Sequence, residues 1–160
     1  MYLLDANILI EASNRYYGLD FAPGFWDWLI KARAAGRVYS IDAVRSELHR
    51  RQDDLSTWSK TSGAALYLSP RASAGVPLAR LAQWANGHAQ YTATAKREFL
   101  GSADYVLVAQ AADLGYTIVT HETPAPNARK RIKIPEACAF LAVAYCSPWQ
   151  VLRTEGARFV

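Results

Sequence analysis

Residues 2–10 read Tyr-Leu-Leu-Asp-Ala-Asn-Ile-Leu-Ile, and this stretch decides the fold. Tyr2 to Leu4 predict a short buried strand, and Asp5 lies at its exit. The apolar residues that begin at Asn7 and reach Ile10 predict a helix directly after the strand. A strand that passes at once into a helix is the first half of a unit that is typical of α/β proteins with parallel sheets.

The rest of the chain repeats this alternation. Ser102 predicts an N-cap, residues 103–114 a helix that Gly115 ends, and residues 117–120 a β-branched strand. Further helices are predicted at 24–35, at 41–51 with Ser40 as the cap, at 53–60, at 76–86, at 92–100, from 135 onward and at 148–154. Further strands are predicted at 37–39, 64–68, 143–146 and 159–160. We therefore expect one three-layer α/β domain over residues 1–160, in which helices flank a central parallel sheet of four to five strands.

The composition excludes several classes of protein. The chain has 160 residues, of which 51% are hydrophobic and 20% charged, so intrinsic disorder is not expected. The longest apolar run covers the nine residues 137–145, about half of what a bilayer-spanning helix needs. The two cysteines, Cys138 and Cys146, are expected to be free thiols. These features predict a cytoplasmic protein that does not bind membranes.

Four acids lie where the ligands of an open α/β sheet bind, beyond the carboxyl ends of the strands. Asp5 follows the first strand, and Glu47 lies in the helix after the second. Asp104 lies in the first turn of the helix before the late strand, and Glu122 follows that strand. Carboxylates packed together repel one another unless a divalent cation neutralises them, and oxygen ligands favour Mg²⁺ or Mn²⁺ over zinc. The pattern therefore indicates a metal site.

Each acid also has a structural interpretation. An ion pair with a neighbouring arginine would explain Glu47, helix capping would explain Asp104, and an exposed loop would explain Glu122. Asp5 has the weakest alternative of this kind, because an acid directly after a buried strand is unsolvated unless it is paired.

The order and spacing of these segments resemble the PIN domains. The opening strand and turn of that family are similar to residues 4–10, its second acid to the segment around Glu47, its third to residues 103–109, and its last to Ile118-Val119-Thr120-His121-Glu122. Residues 14–18, 23–29 and 131–135 are similar to a poorly characterised branch of PIN-like proteins related to VapC-type toxins.

The resemblance implies a metal-dependent endoribonuclease that hydrolyses RNA phosphodiester bonds. Asp5 and Asp104 would be the central ligands of one or two Mg²⁺ or Mn²⁺ ions, and Glu47 would be a ligand or would orient the water. Asn7 would support Asp5 or the substrate through its amide. PIN domains usually carry Asp where this chain has Glu122, which leaves open whether Glu122 ligates directly, through water, or not at all.

A basic segment follows the last of these acids. It contains Arg129, Lys130, Arg131 and Lys133. Residues 1–122 hold 12 basic and 12 acidic side chains, whereas residues 123–160 hold 6 and 2, so the net charge of +4 lies entirely after Glu122. We expect this loop to bind RNA phosphates, with an affinity that falls steeply with salt. His121 is expected either to contact phosphate or to be an exposed loop histidine.

The toxin resemblance also implies partners. An antitoxin protein would bind the chain, or two copies would form a homodimer, through exposed aromatic side chains near Trp26. Tyr16 or Tyr17 would either pack in the core or stack on RNA bases. The sequence has no P-loop, no GxGxxG and no GxSxG motif. The main alternative to a nuclease is a PIN-like module that binds RNA or protein and cuts weakly or not at all.

Overall fold

The sheet is parallel and has five strands within residues 1–159, the part of the chain that this computed structural model describes. The strands are β1 (Tyr2–Leu4), β2 (Val38–Ile41), β3 (Tyr67–Leu68), β4 (Thr117–Val119) and β5 (Tyr145–Cys146). Their order is β3-β2-β1-β4-β5. The chain therefore moves outward in one direction from β1 to β3 and in the other from β4 to β5, which opens a crevice at the carboxyl ends of β1 and β4.

Helices flank this sheet. In the described residues they are α1 (Ala6–Glu11), α2 (Pro23–Ala34), α3 (Asp42–His49), α4 (Asp54–Lys60), α5 (Gly75–Gly87), α6 (Ala93–Leu100), α7 (Ala103–Leu114), α8 (Ile134–Leu141) and α9 (Pro148–Thr154). A π-helix over Ala12–Tyr16 continues directly from α1, and Ala64–Leu66 and Ala72–Ala74 form 3₁₀ turns. None of the described helices is long and apolar enough to cross a membrane.

The centre of the core lies on β1, β2 and β4. Leu3, Val38 and Ile118 are completely buried on these strands. Full burial of a side chain of this size stabilises the fold by roughly 1.5–3 kcal/mol. Strands that are covered on both faces read as continuous apolar runs, and this is why the sequence pattern located them.

Several predicted boundaries are confirmed closely. β1, α7 and α9 cover the residues expected, and Gly115 ends α7 in the left-handed conformation with φ of 69°. The prediction for Ser40 was wrong: β2 continues through Ile41, so Ser40 does not cap α3. Ser40 is completely buried, and its hydroxyl donates to the carbonyl oxygen of Leu4 at 2.8 Å. The hydroxyl thereby ties β2 to the last residue of β1.

Two predicted strands differ from the structure. The strand expected at 64–68 is limited to β3, because the residues before it form a 3₁₀ turn. Of the edge strand expected at 159–160, Val160 lies outside the described residues and Phe159 is not in a strand. The ring of Phe159 instead packs edge-on against Phe25, with the two ring centroids 5.6 Å apart.

Phe25 and Trp26 of α2 belong to the core, so Trp26 itself offers no surface to a partner, and the partner surface among the exposed aromatic side chains near it stays a prediction. Trp26 is only 3% exposed, packs edge-on against Trp58 at 4.7 Å, and donates its indole N–H to the carbonyl of Tyr17 at 2.7 Å. The spacing of large apolar residues along α2 reflects packing, since Phe25 and Leu29 are buried on the same helix. Both cysteines are free, as predicted.

Candidate metal and nucleic-acid site

Asp5 joins the first strand to the first helix at the centre of the sheet. Its backbone N–H donates to the carbonyl of Val119 at the end of β4, with a distance of 3.1 Å. Its carboxylate is the N-cap of α1 and accepts weakly from the backbone N–H of Asn7 at 3.4 Å. Only 1% of Asp5 is exposed. The sheet thus places a carboxylate in the interior at the crevice between β1 and β4.

Thr120 connects this carboxylate to the loop after β4. Its hydroxyl donates to the carboxylate of Asp5 at 3.1 Å and accepts from the backbone N–H of Glu122 at 3.1 Å. Thr120 is 2% exposed, so both bonds are shielded from water. Sequence reasoning assigned no role to this residue, although it stands in the segment that resembles the last PIN acid.

Asp104 lies in the first turn of α7 without a partner. Its carboxylate forms no hydrogen bond and no ion pair with any side chain or backbone group in residues 1–159. Ser102 occupies the N-cap position, but its hydroxyl donates backward to the carbonyl of Phe99 at 2.6 Å. Helix capping therefore does not account for Asp104.

Glu47 lies half-buried on α3 and forms no ion pair within the described range. Arg51 is one of the neighbouring arginines that could have formed an ion pair with Glu47. It pairs instead with Asp53 at 2.7 Å. The ion-pair interpretation of Glu47 with Arg51 is thereby removed, and the carboxylate remains available toward α7.

The four acids act on one another electrostatically. Burial raises the pKa of Asp5 most, followed by the charge of Asp104 and, least, that of Glu122; against the hydrogen bonds from Thr120 and Asn7, the net pKa is about 7. Burial, followed by the charges of Glu122 and then Glu47, raises the pKa of Asp104 to about 6, while the Arg131 guanidinium lowers it. Burial is the larger cause of both shifts, and the smaller contributions from charge place Asp5, Asp104, Glu122 and Glu47 in one electrostatic neighbourhood.

Both carboxylate oxygens of Glu122 accept hydrogen bonds from protein groups. One oxygen accepts from the Arg131 guanidinium, and the other accepts from the backbone N–H of Ile134, the first residue of α8, at 2.7 Å. Only 9% of the Glu122 side chain is exposed, so it is not an ordinary loop charge. The structure therefore joins two residues that the sequence predicted in separate roles, one as a metal ligand and one as an RNA contact.

The basic segment divides into two parts. Arg131 and Lys133 line an open groove together with Asn7, His121 and Glu122. Arg129 and Lys130 are exposed but are not among the residues that line this groove.

The loop that carries these residues is anchored to the body. The side-chain amide of Gln90 donates to the carbonyls of Pro126 at 2.7 Å and Ala128 at 2.6 Å, and the backbone N–H of Thr92 donates to the carbonyl of Arg129. Lys133 donates to the carbonyl of Thr123 at 3.2 Å. These bonds hold the cations in place beside the acids.

His121 is half-buried between aromatic rings. Burial lowers its pKa, against the raising effect of Glu11, so the ring is neutral at physiological pH. A neutral imidazole contacts phosphate as a hydrogen-bond donor and not as a cation.

The donor chemistry of the site fits Mg²⁺ or Mn²⁺. Asp5 and Asp104 supply oxygen ligands whose ionisation a cation would favour. Within residues 1–159, no three His, Cys, Asp or Glu side chains stand close enough together to hold an ion by themselves. Magnesium usually takes only one or two carboxylates and completes its shell with waters and substrate phosphates, so the buried Asp5 and the half-buried Asp104 match its needs.

The raised pKa of Asp5 predicts how the metal-free protein responds to pH. An unfolded aspartate titrates near 3.8, whereas folding raises the pKa to about 7, so the folded form binds an additional proton between these values. In chelator, the Asp5 carboxyl should therefore lower the free energy of unfolding by about 3 kcal/mol as the pH rises from about 4 to about 7. Asp5→Asn should flatten this dependence, which denaturation curves at several pH values would measure.

Asp27→Asn, on the exposed face of α2, is the matched control and should leave the pH dependence as in the wild type. The same slope in wild type and Asp5→Asn would contradict the claim that the Asp5 carboxylate is strained by burial and repulsion.

The arrangement can be compared with known proteins. No curated protein matches the sequence. FitAcB from Neisseria gonorrhoeae superimposes with a TM-score of 0.54 at 19% identity, over 93% of this chain and 99% of that one. FitAB bound to an IR36 DNA fragment gives a TM-score of 0.53 at 17% identity, over 93% and 96% of the two chains. These likenesses confirm the PIN-like α/β fold. A family model described as "Domain of unknown function (DUF4411)" matches residues 2–159, and the chain is therefore a member of the DUF4411 family.

Proposed function

We propose that this chain is a metal-dependent endoribonuclease that hydrolyses RNA phosphodiester bonds at the carboxyl ends of β1 and β4. The observation that carries the proposal is the burial of Asp5 beside the charge of Asp104, which raises the pKa of Asp5, while burial and the charges of Glu122 and Glu47 raise that of Asp104. Buried like charges destabilise a protein, and such arrangements cluster at sites where a ligand or a reaction uses them. A polyanion cut at an acidic site needs cations, which the ion and the neighbouring basic loop would supply.

Asp5 and Asp104 would hold the Mg²⁺ or Mn²⁺ ion, with Glu47 and Glu122 close enough to act on Asp104 electrostatically. When bound, the ion would lower the pKa of a water and offset the negative charge that develops on the phosphate. Thr120 orients the Asp5 carboxylate by its 3.1 Å hydrogen bond. The half-buried Glu47 carboxylate would orient the attacking water or accept its proton.

The groove lined by Arg131 and Lys133 would bind the substrate. Arg131 and Lys133 offer positive charge to the phosphates, and the exposed amide of Asn7 reaches the same space from α1. Arg131 has to divide its donors between Glu122 and a phosphate, which its planar group with five N–H donors allows. Arg129, Lys130 and the neutral His121 would contact the flanking backbone of the strand.

A specific observation favours a second candidate, a PIN-like module that binds RNA or protein without efficient cleavage. Both oxygens of Glu122 accept hydrogen bonds from protein groups, so its carboxylate is committed to the loop and to α8. In this case Glu122 fixes the basic loop, and the acidic site lacks its fourth ligand.

We further propose that the chain is the toxin of a type II toxin–antitoxin pair and acts in the cytoplasm. The resemblance to VapC-type toxins and the fold shared with FitAB, described in one structure as bound to DNA, support this role. The proposal includes an antitoxin partner and a homodimer of this chain. Since Trp26 is buried, the partner surface has to use other side chains.

The nuclease proposal predicts that cleavage depends on Asp5 and Asp104. Purified protein incubated with total cellular RNA and Mg²⁺ or Mn²⁺ should cut it, and Asp5→Asn or Asp104→Asn should reduce the rate by more than about 100-fold. The reason is that each change removes a negatively charged oxygen ligand at nearly constant volume. Gel analysis of the RNA over time measures the rates.

Asp27→Asn should cut at the wild-type rate. Cleavage that survives in both site variants would overturn the nuclease proposal. RNA binding without cleavage in either metal would favour the second candidate.

The toxin proposal predicts growth arrest when the wild-type chain is expressed alone. Asp5→Asn and Asp104→Asn should relieve the arrest, because they remove the site but leave the folded surface unchanged. Colony counts with induced and uninduced cultures measure the effect. Asp27→Asn should remain toxic, and a harmless wild-type protein made in soluble form would contradict the toxin role.

A further inference from the structure

Three aromatic rings meet at the surface beside the acidic site. Tyr16 and Trp149 pack edge-on with their centroids 5.2 Å apart, and His121 lies 6.2 Å from Tyr16 and 6.1 Å from Trp149. Tyr16 is 45% exposed and Trp149 is 36% exposed, which is unusual for rings of this size that already have aromatic neighbours. We call Tyr16, His121 and Trp149 the aromatic triad.

Three separate elements place the triad. Tyr16 is the last residue of the π-helix Ala12–Tyr16, His121 follows β4, and Trp149 lies in the first turn of α9. π-Helical turns are rare, and they occur frequently at functional sites. The start of α9 is fixed by a capping box between Ser147 and Gln150. The exposed rings are therefore held on ordered backbone.

The triad is distinct from the aromatic core next to it. Tyr17, the next residue, stacks on the buried ring of Phe25 at 4.5 Å with an angle of 10° between the rings. The apolar cavity behind the triad holds about 30 Å³, which leaves room for little more than a water molecule. A ligand larger than water would thus lie on the outer faces of the rings and not enter the core.

The triad borders the groove that carries the candidate chemistry. Tyr16 and His121 line this groove together with Glu122, Arg131 and Lys133. Aromatic faces beside a groove with cationic side chains are how proteins bind single-stranded nucleic acids, since each base has a face to stack and each phosphate a charge to pair. A peptide segment would use the apolar rings but has no regular need for the cations.

We propose that the aromatic triad is a stacking platform for an unpaired nucleobase of a single-stranded nucleic acid whose phosphates cross the Arg131–Lys133 side of the groove. The inference rests on the proposed nuclease function and names the residues that would hold an unpaired base of its RNA beside the acidic site. Bases inside a duplex are stacked on one another and present no free face to Tyr16 or Trp149.

The test is a binding titration in chelator, so that no cleavage occurs. A fluorescently labelled single-stranded RNA oligonucleotide and a duplex of the same sequence are followed by anisotropy at several salt concentrations. Wild type should bind the single strand more tightly, and Tyr16→Ala and Trp149→Ala should each weaken it by about tenfold. Tyr16→Phe, which keeps the ring, should bind as wild type.

Salt dependence separates stacking from charge. Tyr16→Ala should leave the slope of log affinity against log salt unchanged, whereas Arg131→Ala should make the slope shallower by about one. Phe21→Ala is the matched control, because Phe21 is an exposed ring that does not line the groove. This variant should bind the single-stranded RNA as tightly as the wild type does.

Each outcome bears on one of the two proposals. The platform would be overturned if both Tyr16→Ala and Trp149→Ala bound the single strand with wild-type affinity, or if the wild type bound duplex and single strand equally well. A peptide would then be the ligand to test. If cleavage that requires Asp5 persists in that case, the nuclease proposal stands without the platform. If the ring variants lose affinity but the wild type cuts no RNA, the platform stands and the nuclease fails.

Discussion

The structure depends on one buried carboxylate. Asp5 ends β1, contacts β4 through its backbone N–H, caps α1 with its side chain, and accepts from the Thr120 hydroxyl. Its position is set by the sheet, because the crevice opens where β1 and β4 lie side by side. Burial of a charge beside Asp104 has a cost in stability that hydrogen bonds offset only in part. A cation would remove that cost, and this is the physical reason to look for chemistry here.

The basic loop belongs to the same electrostatic unit. Arg131 pairs with Glu122 and lowers the pKa of Asp104, so it compensates the acids while it lines the groove. Of the cations that follow Glu122, Arg131 and Lys133 therefore lie next to the acids, whereas Arg129 and Lys130 are exposed and do not line this groove. Together, the acids and the cations make a site that attracts a metal ion and a polyanion at once.

The sequence predicted the parts of this site that depend on local pattern. Asp5 and Asp104 were found because strand exits and helix starts can be read from apolar periodicity and turn residues. The sequence alone could not predict contacts between segments that lie far apart along the chain. The hydroxyl of Ser40 donates to the carbonyl of Leu4 in β1, and Glu122 accepts from Arg131 and from the first residue of α8. No local sequence pattern predicts these hydrogen bonds. The sequence offered Tyr16 as a base-stacking residue and His121 as a phosphate contact, but it could not predict that their rings meet each other and Trp149, because the three lie on elements far apart along the chain.

Calorimetric titration of the metal-free protein with Mn²⁺ tests the central claim most directly. If Asp5 and Asp104 form a cation site, Mn²⁺ binds, and its affinity increases as the pH rises from about 5 to about 8, because protons and the cation compete for Asp5. Asp5→Asn should lose this binding while it remains folded. Absence of Mn²⁺ binding to the wild type, or an equal affinity in Asp5→Asn, would contradict the account.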